Sequence, residues 1–332
     1  MKFGAVPLDQ AEGAILAHSL RLDTGRLRKG VVLNAQHLAA LGAQGLQTVT
    51  VAQLGPDDVH EDAAALQLAQ ALWHDAPHLE LSAAFTGRVN LLATSPGVVC
   101  LDTGQITQAN AVDPMITVAT VPAFHQIHAG GLVATVKIIA YGVDSTGLSE
   151  ACEAAKGAVH LATPQRRTAS LIVTEIAGAP PVKGIDAIEN RMIGLGGTLS
   201  EVLRVPHEDA ALTEALGRAT GDIVLILTGS ATSDIGDTGP QALIRAGGQM
   251  RRFGLPVDPG NLLFFGYLGT RPVVGLPGSA RSPVLHGADW VVSRLACGLQ
   301  VSDADIAAMG VGGLLKEIPT RPQPRHPGKS SR

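Results

Sequence analysis

The sequence predicts an α/β fold whose second half contains a mostly parallel sheet. Five consecutive aliphatic residues at 223–227 are bounded by polar residues on both sides. A short run of this kind is typical of a central strand that is buried on both faces. A small, hydroxyl-rich loop follows at 228–233, and an apolar helical pattern opens after Pro240. Strand, loop and helix in this order form the repeating unit of parallel α/β sheets.

A second strand-loop-helix unit lies further along the chain. Residues 273–276 are apolar, residues 277–283 are small and hydroxylated, and an apolar helical pattern covers 284–295. Open α/β sheets bind ligands at the carboxyl ends of their strands, where loop N–H groups and helix N-termini favour anions. We therefore expect the two loops to line a site for phosphate or another polyanion, with Arg281 paired to it. Two ordinary βα turns capped by Ser and Thr are the alternative.

The remaining elements of the second half continue the alternation of strand and helix. Apolar runs that end in polar residues predict the strands, and helical periodicity predicts the helices. A connecting helix within 151–165, based on the pattern at 149–160, is expected to join the two halves. The other predicted elements are a strand at 169–175, a helix at 186–195, a strand that ends near 205, and a helix at 210–218.

The first 150 residues predict a different, α+β organisation that is rich in strands. Turn signals punctuate residues 76–150, whereas two helical patterns fall within residues 1–75. We therefore expect an accessory region at 1–150 with two lobes, 1–75 and 76–150. Its predicted elements are strands at 15–22, 30–33, 48–51 and 133–139, and helices at 35–41, 59–73 and 109–116.

Composition narrows the class of protein. The chain has 332 residues, of which 45% are hydrophobic, and a formal net charge of -4 that gives no electrostatic reason to expect nucleic-acid binding. No apolar run reaches the ~18 residues of a membrane span, and the N-terminus lacks the apolar core of a signal peptide. The three cysteines, Cys100, Cys152 and Cys297, are far apart and imply no disulfide framework. The expected location is the cytoplasm.

Three motifs, in order, resemble those of the molybdopterin-binding family. Thr-Gly-Ser-Ala-Thr-Ser-Asp-Ile-Gly-Asp at 228–237 resembles the family's Gly-Gly-Val-Ser-x-Gly-x-x-Asp loop. Asp-Pro-Gly-Asn at 258–261 resembles the Lys-Pro-Gly-Lys of the molybdenum insertases, and Gly-Leu-Pro-Gly-Ser at 275–279 resembles their Gly-Leu-Pro-Gly-Asn. The resemblance covers residues 167–300 and includes the molybdopterin adenylyltransferases as well as the insertases.

The resemblance implies a fold, a ligand and a set of site residues. The fold is a three-layer α/β/α molybdopterin-binding domain at 166–318. The ligand is molybdopterin, the molybdenum cofactor or a nucleotide-linked form. Asp237 takes the place of the family's acidic residue, which implies catalysis and, with Asp234, a Mg²⁺ site. The residues implied to bind the cofactor are Thr228, Gly229, Ser230, Thr232, Ser233, Asn190, Pro277, Gly278, Ser279 and Arg281.

Departures from the family pattern leave the function open between alternatives. Asp258 and Asn261 replace both lysines, Ser230 and Asp234 replace two glycines, and Ser279 replaces an asparagine. Losing two cations weakens the neutralisation of an anionic ligand. The resemblance therefore implies ligand binding more strongly than it implies catalysis. One function is cofactor binding in molybdenum cofactor biosynthesis, maturation or delivery, with molybdotransferase- or adenylyltransferase-like phosphoryl or nucleotidyl chemistry if the protein is an enzyme. The alternatives are a non-catalytic carrier and a nucleotide-pyrophosphate hydrolase.

The same resemblance sets the expected partners. They are a pterin or phosphate small molecule, a molybdoenzyme or nucleotidyltransferase, and a second copy of the chain in a homodimer, with neither nucleic acid nor membrane.

Two histidine pairs, His125 with His128 and His74 with His78, are predicted to be surface or loop residues rather than metal ligands. The Pro- and charge-rich segment 319–332 is predicted to be a disordered tail.

Overall fold

The computed structural model describes residues 1–23 and 25–315, so the tail predicted at 319–332 lies outside the described residues. It is a mixed α/β structure with several sheets. The chain forms two compact units. The first contains Met1–Ser95, Val99–Ala123 and Ala129–Leu161; the second contains Pro96–Val98, Phe124–His128 and the described residues from Ala162 to Leu315.

The chain up to residue 162 is rich in short strands. Its helices are α1 (Ala35–Ala43), α2 (Glu61–Trp73), α3 (Thr103–Val112) and α4 (Ser145–Ala155), with a 3-10 helix at Leu8–Gln10. Its strands are β1 (Lys2–Pro7), β2 (Ile15–Leu16), β3 (Leu20–Leu22), β4 (Gly25–Leu27), β5 (Thr48–Gln53), β6 (Asp58–His60), β7 (Leu79–Leu81), β8 (Arg88–Ala93), β9 (Gly97–Leu101), β10 (Ile116–Thr120), β11 (Gln126–Ile127), β12 (Leu132–Ile138), β13 (Gly142–Asp144) and β14 (Val159–Ala162).

These strands form small sheets with mostly antiparallel pairing. The sheet orders are β1-β5-β2, β10-β12-β8-β7, β11-β9-β14, β13-β6 and β3-β4. The helix predicted at 35–41 is confirmed as α1, and its start has a clear local cause. The Asn34 side chain accepts the N–H of His37 at 2.9 Å, while His37 Nδ1 accepts the N–H of Asn34 at 3.3 Å. This reciprocal capping satisfies N–H groups that a helix start otherwise leaves unpaired.

Several predicted elements of this region differ in the structure. The strand predicted at 15–22 is split into β2 and β3, and the one predicted at 30–33 is only a bridge between Val32 and Ile15. The helix predicted at 109–116 lies earlier, as α3, because Asp102 caps its start. The connecting helix predicted within 151–165, from the pattern at 149–160, lies earlier in the structure, as α4 (Ser145–Ala155), and β14 follows it. Gly157, at a φ of 65°, adopts the left-handed backbone that typically ends a helix.

The second unit contains the elements that position the candidate site. Its helices are α5 (Ile185–Gly194), α6 (Asp209–Arg218), α7 (Thr238–Arg245), α8 (Gly287–Ala296) and α9 (Asp303–Ala308), with a 3-10 helix at Gly278–Arg281. Its longer strands are β15 (Thr168–Glu175), β16 (Thr198–Pro206), β17 (Ile223–Leu227), β18 (Gln249–Phe253), β19 (Phe264–Leu268) and β20 (Arg271–Leu276).

These six strands form one mixed sheet in the order β16-β15-β17-β20-β19-β18. The first four strands pair in parallel, whereas β19 pairs antiparallel with both of its neighbours, β20 and β18. The predicted parallel pairing is therefore found among the first four strands but not at β19, and the ladders elsewhere in the chain are mostly antiparallel, so a mostly parallel arrangement is not confirmed for the chain. The reversal follows from a two-residue hairpin at 269–270, where Gly269 takes a φ of 62° that suits a tight turn.

Both faces of this sheet carry a hydrophobic core. All five residues of β17 are buried, as predicted for a central strand. Alternate residues such as Leu225 and Leu227 join a cluster with residues of α5 and α8, whereas Val224 and Ile226 join a second cluster with residues of α6 and α7. Side chains alternate between the two faces of a strand, so each face needs its own helices. No helix among the described residues is long and apolar enough to cross a membrane.

Candidate functional site

Side chains at the ends of three parallel strands form one hydrogen-bonded chain. Thr174, on β15, is fully buried, and its Oγ1 accepts the N–H of Gly229 at 2.9 Å just after β17. The same Oγ1 lies 2.8 Å from Nδ1 of His207, which follows β16. A Cβ added at Gly229 would lie 2.8 Å from the Thr174 carbonyl oxygen. The loop after β17 therefore begins in close contact with β15, which explains a glycine at this position.

The loop at 228–233 folds on itself through hydroxyl groups. Thr228 is 5% exposed and its Oγ1 donates to the carbonyl of Ser230 at 2.6 Å. The Oγ1 of Thr232, which is 8% exposed, lies 3.4 Å away from that of Thr228. Ser230 and Ser233 are exposed. The two threonines thus shape the loop from inside, while the two serines remain on its solvent side.

Asp237 and Asp234 close the same loop. One carboxylate oxygen of Asp237 accepts the N–H of Ser233 at 2.5 Å and that of Asp234 at 3.0 Å. These backbone hydrogen bonds, that from Ser233 first, hold the pKa of Asp237 below its ordinary value. Asp234 Oδ1 accepts the N–H of Gly236 at 2.7 Å. Both carboxylates therefore accept hydrogen bonds from N–H groups of their own loop, which leaves fewer oxygens for a metal ion.

The described residues contain no group of three or more His, Cys, Asp or Glu side chains that could hold a metal. Mg²⁺ is usually held by one or two carboxylates and substrate phosphates, so the pair Asp237 and Asp234 stays a prediction for a metal site.

The turn after β20 places Ser279 against a buried histidine. Ser279 Oγ lies 2.7 Å from Nε2 of His286, which is 1% exposed. Nδ1 of His286 accepts the N–H of Ala288 at 3.0 Å, so a neutral ring carries its proton on Nε2 and donates it to Ser279. His286 is then no base for Ser279. By donating to the exposed Ser279 hydroxyl, His286 orients this group so that the hydroxyl proton of Ser279 can reach a ligand.

Arg191, on α5, fixes the shape of this turn. Its guanidinium donates to the carbonyl oxygens of Ala280 and Ser282, each at 2.9 Å, and to that of Val284 at 3.2 Å. Its Nε lies 2.5 Å from Asp289, and the side chains of this pair are only 11% and 13% exposed. Burial raises the pKa of Asp289, against the opposing effect of Arg191. One cation thus ties α5, the turn and α8 together.

Arg281 joins the two predicted loops. Its Nη2 donates to the carbonyl oxygen of Thr228 at 2.9 Å. Its Nε is buried and has no hydrogen-bond partner among the residues that the structure describes. The backbone of Arg281 also packs on Gly184, where an added Cβ would lie 2.6 Å from the Arg281 carbonyl oxygen and where φ is 85°. The structure therefore brings the loops at 228–237 and 277–282 together, with an unused donor between them.

Not every predicted site residue joins this arrangement. Asn190 is exposed on α5 and, within the described ranges, makes no hydrogen bond or ion pair with either loop. Its neighbour Arg191 makes the contacts instead. Gly278 is exposed, with open space around its Cα, and Pro277 is buried at the end of β20. The sequence pattern does not mark the roles of Arg191, Thr174, His207 and Asp289, because each depends on a partner far along the chain or on a neighbouring strand. His286 lies close to its partner Ser279 in the chain, but no local pattern marks the two as paired.

The segment that resembles the lysine motif lies beside the start of α8. The N–H of Gly287 donates to the carbonyl of Pro259 at 2.9 Å, and an added Cβ at Gly260 would lie 3.0 Å from the Gly287 Cα. Asn261 turns its amide onto the carbonyl of Leu255 at 3.3 Å. The two residues between the positions of the lost lysines, Pro259 and Gly260, therefore contact Gly287, which follows His286 in the chain, and Asn261 is used within its own loop.

A cavity of 370 Å³ opens next to the end of β15. It is in contact with the loop after β17, since an added Cβ at Gly229 would lie 3.3 Å from the Ile176 side chain. Glu175 and Arg204, paired at 2.5 Å, form its polar side. The lining residues are Glu175, Ile176, Ala177, Ala179, Pro180, Pro181, Arg204, Val205 and Pro206. Its apolar walls suit a planar organic group.

Comparison with known proteins gives one family and several solved structures. The family described as Domain of unknown function (DUF8806) matches residues 5–53, which is less than half of the chain. No curated protein matches. A molybdopterin biosynthesis moea protein from Pyrococcus horikosii is similar at 13% identity and a TM-score of 0.31, over 90% of this chain and 75% of that one.

Two further solved structures are similar. A molybdenum cofactor biosynthesis protein from Pyrococcus furiosus has 14% identity and a TM-score of 0.24, over 90% of this chain and 66% of that one. Molybdenum cofactor biosynthesis protein B has 12% identity and a TM-score of 0.27, over 40% of this chain and 88% of that one. All three are named as molybdopterin or molybdenum cofactor biosynthesis proteins. At these identities and TM-scores, they do not establish the activity of this chain.

Proposed function

We propose that the protein binds molybdopterin, in its free, molybdenum-loaded or nucleotide-linked form, at the carboxyl edge of the six-stranded sheet. The observation that carries the proposal is the contact of Arg281 with Thr228, because it joins the two loops whose motifs resemble the molybdopterin-binding family. The protein would act in the biosynthesis, maturation or delivery of the molybdenum cofactor.

The donors at this edge fit the phosphate group of such a ligand. The buried Nε of Arg281 lacks a partner among the described residues, and the Ser279 hydroxyl is exposed with His286 behind it. A guanidinium and a hydroxyl are suitable partners for a phosphate oxygen. The cavity beside Ile176 offers apolar walls to the pterin ring. In this proposal the phosphate lies between the two loops, and the ring lies toward β15.

Binding without turnover is the form of this function that the geometry favours. Asp237, the expected catalytic residue, uses one carboxylate oxygen to accept two N–H groups of its own loop. Asp258 and Asn261 stand where the resembling family has two lysines, so charge that would stabilise a phosphoryl-transfer transition state is absent. A carrier would pass the cofactor to a nucleotidyltransferase or a molybdoenzyme. Its expected form is a cytoplasmic homodimer.

Calorimetric titration of the full chain with molybdopterin and its adenylylated form tests the proposal. We expect micromolar or tighter binding that Arg281→Gln and Ser279→Ala weaken by about tenfold each. The matched control is Arg218→Gln, which removes an exposed cation that is paired with Glu214 on α6 and lines neither the two loops nor the cavity. Failure of both pterin forms to bind would overturn the proposal.

Activity assays on the same protein distinguish a non-catalytic carrier from an enzyme. Nucleotide hydrolysis or metal insertion that requires Mg²⁺, and that Asp237→Ala abolishes, would establish the catalytic form of the function instead. Turnover of a dinucleotide by a protein with no pterin affinity would favour the nucleotide-pyrophosphate hydrolase.

A further inference from the structure

A second cavity lies at the opposite end of β20 from the candidate site. It measures 680 Å³, within the range of small-molecule sites, and polar side chains form much of its wall. It is bordered by the hairpin before β20 and by the segment between α8 and α9. The lining residues are Arg166, Gln249, Arg251, Phe265, Tyr267, Gly269, Thr270, Gly298, Leu299, Gln300, Val301, Ser302 and Asp303.

A β-bulge points one cation at this cavity. The register of β18 with β19 shifts between Met250 and Arg252, so Arg251 has no partner on β19. Such bulges turn a side chain away from the regular alternation of a strand. Arg251 is exposed and, among the described residues, makes neither a hydrogen bond nor an ion pair. Its neighbour Arg252 lies 3.5 Å from Asp303.

The charges around the cavity leave a surplus of positive charge. Arg166 is half-buried at its edge, held by a 2.6 Å hydrogen bond from Nη1 to the carbonyl of Leu295. Asp303 is the acid in the lining, and Arg252 is already its partner. Arg251 is therefore available to an anion, and Arg166, which also interacts with Asp222, adds positive charge at the edge of the cavity. Guanidinium groups match the geometry of phosphate and carboxylate oxygens.

An aromatic ring forms part of the same wall. Tyr267, on β19, is half-buried and packs edge-on against Phe265, with ring centroids 6.5 Å apart. The Tyr267 hydroxyl has no hydrogen-bond partner within residues 1–23 and 25–315. The exposed amides of Gln249 and Gln300 add donors and acceptors near the rim. An aromatic wall beside an unpaired guanidinium suits a ligand that has a planar ring as well as an anionic group.

We propose that this cavity is a second ligand site, for a small organic phosphate with a planar ring, of the size of a nucleoside monophosphate. The phosphate contacts Arg251 and Arg166, and the ring packs against Tyr267. A peptide strand added to the edge of the sheet is disfavoured, because a bulge and a charged side chain on an edge strand both block strand pairing.

Titration of the full chain with adenosine monophosphate, and separately with inorganic phosphate, tests this site. We expect the nucleotide to bind at least about tenfold more tightly than phosphate, since only the nucleotide has a ring for Tyr267. Arg251→Gln should weaken nucleotide binding by about tenfold or more. Arg218→Gln is the matched control: it removes the same charge from an exposed arginine on α6 that is paired with Glu214 and does not line the cavity, and it should change the affinity by less than about twofold.

A second variant keeps the proposal testable if Arg251→Gln folds poorly. Tyr267→Leu should lower the nucleotide affinity to that of inorganic phosphate, while the melting temperature checks that the protein is folded. Absence of nucleotide binding, or equal losses in Arg251→Gln and Arg218→Gln, would overturn the proposal. So would an Arg251→Gln protein that aggregates but binds the nucleotide normally, because Arg251 would then only protect the edge strand. The molybdopterin affinity of Arg251→Gln should stay unchanged, which keeps the two sites distinguishable.

Discussion

The two loops at the carboxyl edge of the sheet are held in different ways. The loop at 228–237 is closed mainly by its own residues, with Asp237 accepting the N–H groups of Ser233 and Asp234. The turn at 277–284 is held from outside by Arg191 and by the buried His286. A loop that is held by hydrogen bonds among its own residues can rearrange as a unit, whereas a turn that is held by residues of two helices is preorganised. The first loop is therefore the adaptable half of the candidate site, and the second is the rigid half.

The largest expected effect on stability comes from removing Arg191, which holds the rigid turn from α5. Arg191→Leu leaves Asp289 half-buried without its cation, and the carbonyls of Ala280 and Ser282 lose their donor. Breaking a buried ion pair in this way costs about 3–5 kcal/mol in the free energy of unfolding. Urea unfolding measures it. The control, Arg204→Leu, breaks a pair of the same 2.5 Å length whose side chains are 45% and 41% exposed, and should cost at most about 1 kcal/mol. Equal losses would contradict this account of the rigid turn.

The next effect compares two glycines, one in each loop. Gly229→Ala places a Cβ 2.8 Å from the Thr174 carbonyl oxygen, so the adaptable loop must move away from β15. Overpacking of this kind costs about 1–3 kcal/mol. Gly278→Ala meets nothing within 4 Å and should change the stability by less than about 0.5 kcal/mol. Thermal unfolding of both variants makes the comparison, and a neutral Gly229→Ala would remove the proposed contact between β15 and the loop.

Sequence alone identified the two loops but not what holds them. The buried run at 223–227 and the small residues after it are local signals, so β17 and its loop could be predicted. Arg191 and Asp289 are 98 residues apart, and neither has a local feature that marks it as half of an ion pair. β18 was missed because Gln249–Phe253 has two arginines and no regular alternation. The antiparallel edge is therefore visible only in the structure, although β18, β19 and β20 follow one another in the chain.

Ser279 and His286 offer a smaller, functional test of the rigid turn. If His286 orients the Ser279 hydroxyl toward a ligand, His286→Ala should weaken molybdopterin binding by about tenfold in the native background. In a Ser279→Ala background, the same change should have almost no further effect on affinity. Additive losses in this double-mutant cycle would show that the two residues act independently. Melting temperatures of all four proteins serve as the control for folding.

The smallest expected effect concerns acid. The carboxylate of Asp237 has a pKa below its ordinary value, so loop closure is fully present above ~3.9, the pKa of an unfolded Asp, and is lost as pH falls through the lower folded pKa. The protection of the Ser233 and Asp234 amides from hydrogen exchange should be constant from about pH 5 to 8. Asp237→Ala should lose this protection throughout that range. Unchanged protection in the variant would show that other contacts close the loop.

Hydrogen exchange of the full chain with and without molybdopterin tests the central claim most directly. If the ligand binds across a rigid and an adaptable loop, amides of residues 229–237 should gain about tenfold protection on binding, an effect of roughly 1.4 kcal/mol. The amides of Ala280 and Ser282, which donate to the carbonyl oxygens of Pro277 and Ser279, should already be protected in the free protein and change little. Saturating molybdopterin that leaves residues 229–237 unprotected, or that protects only segments away from both loops, would contradict the placement of the site.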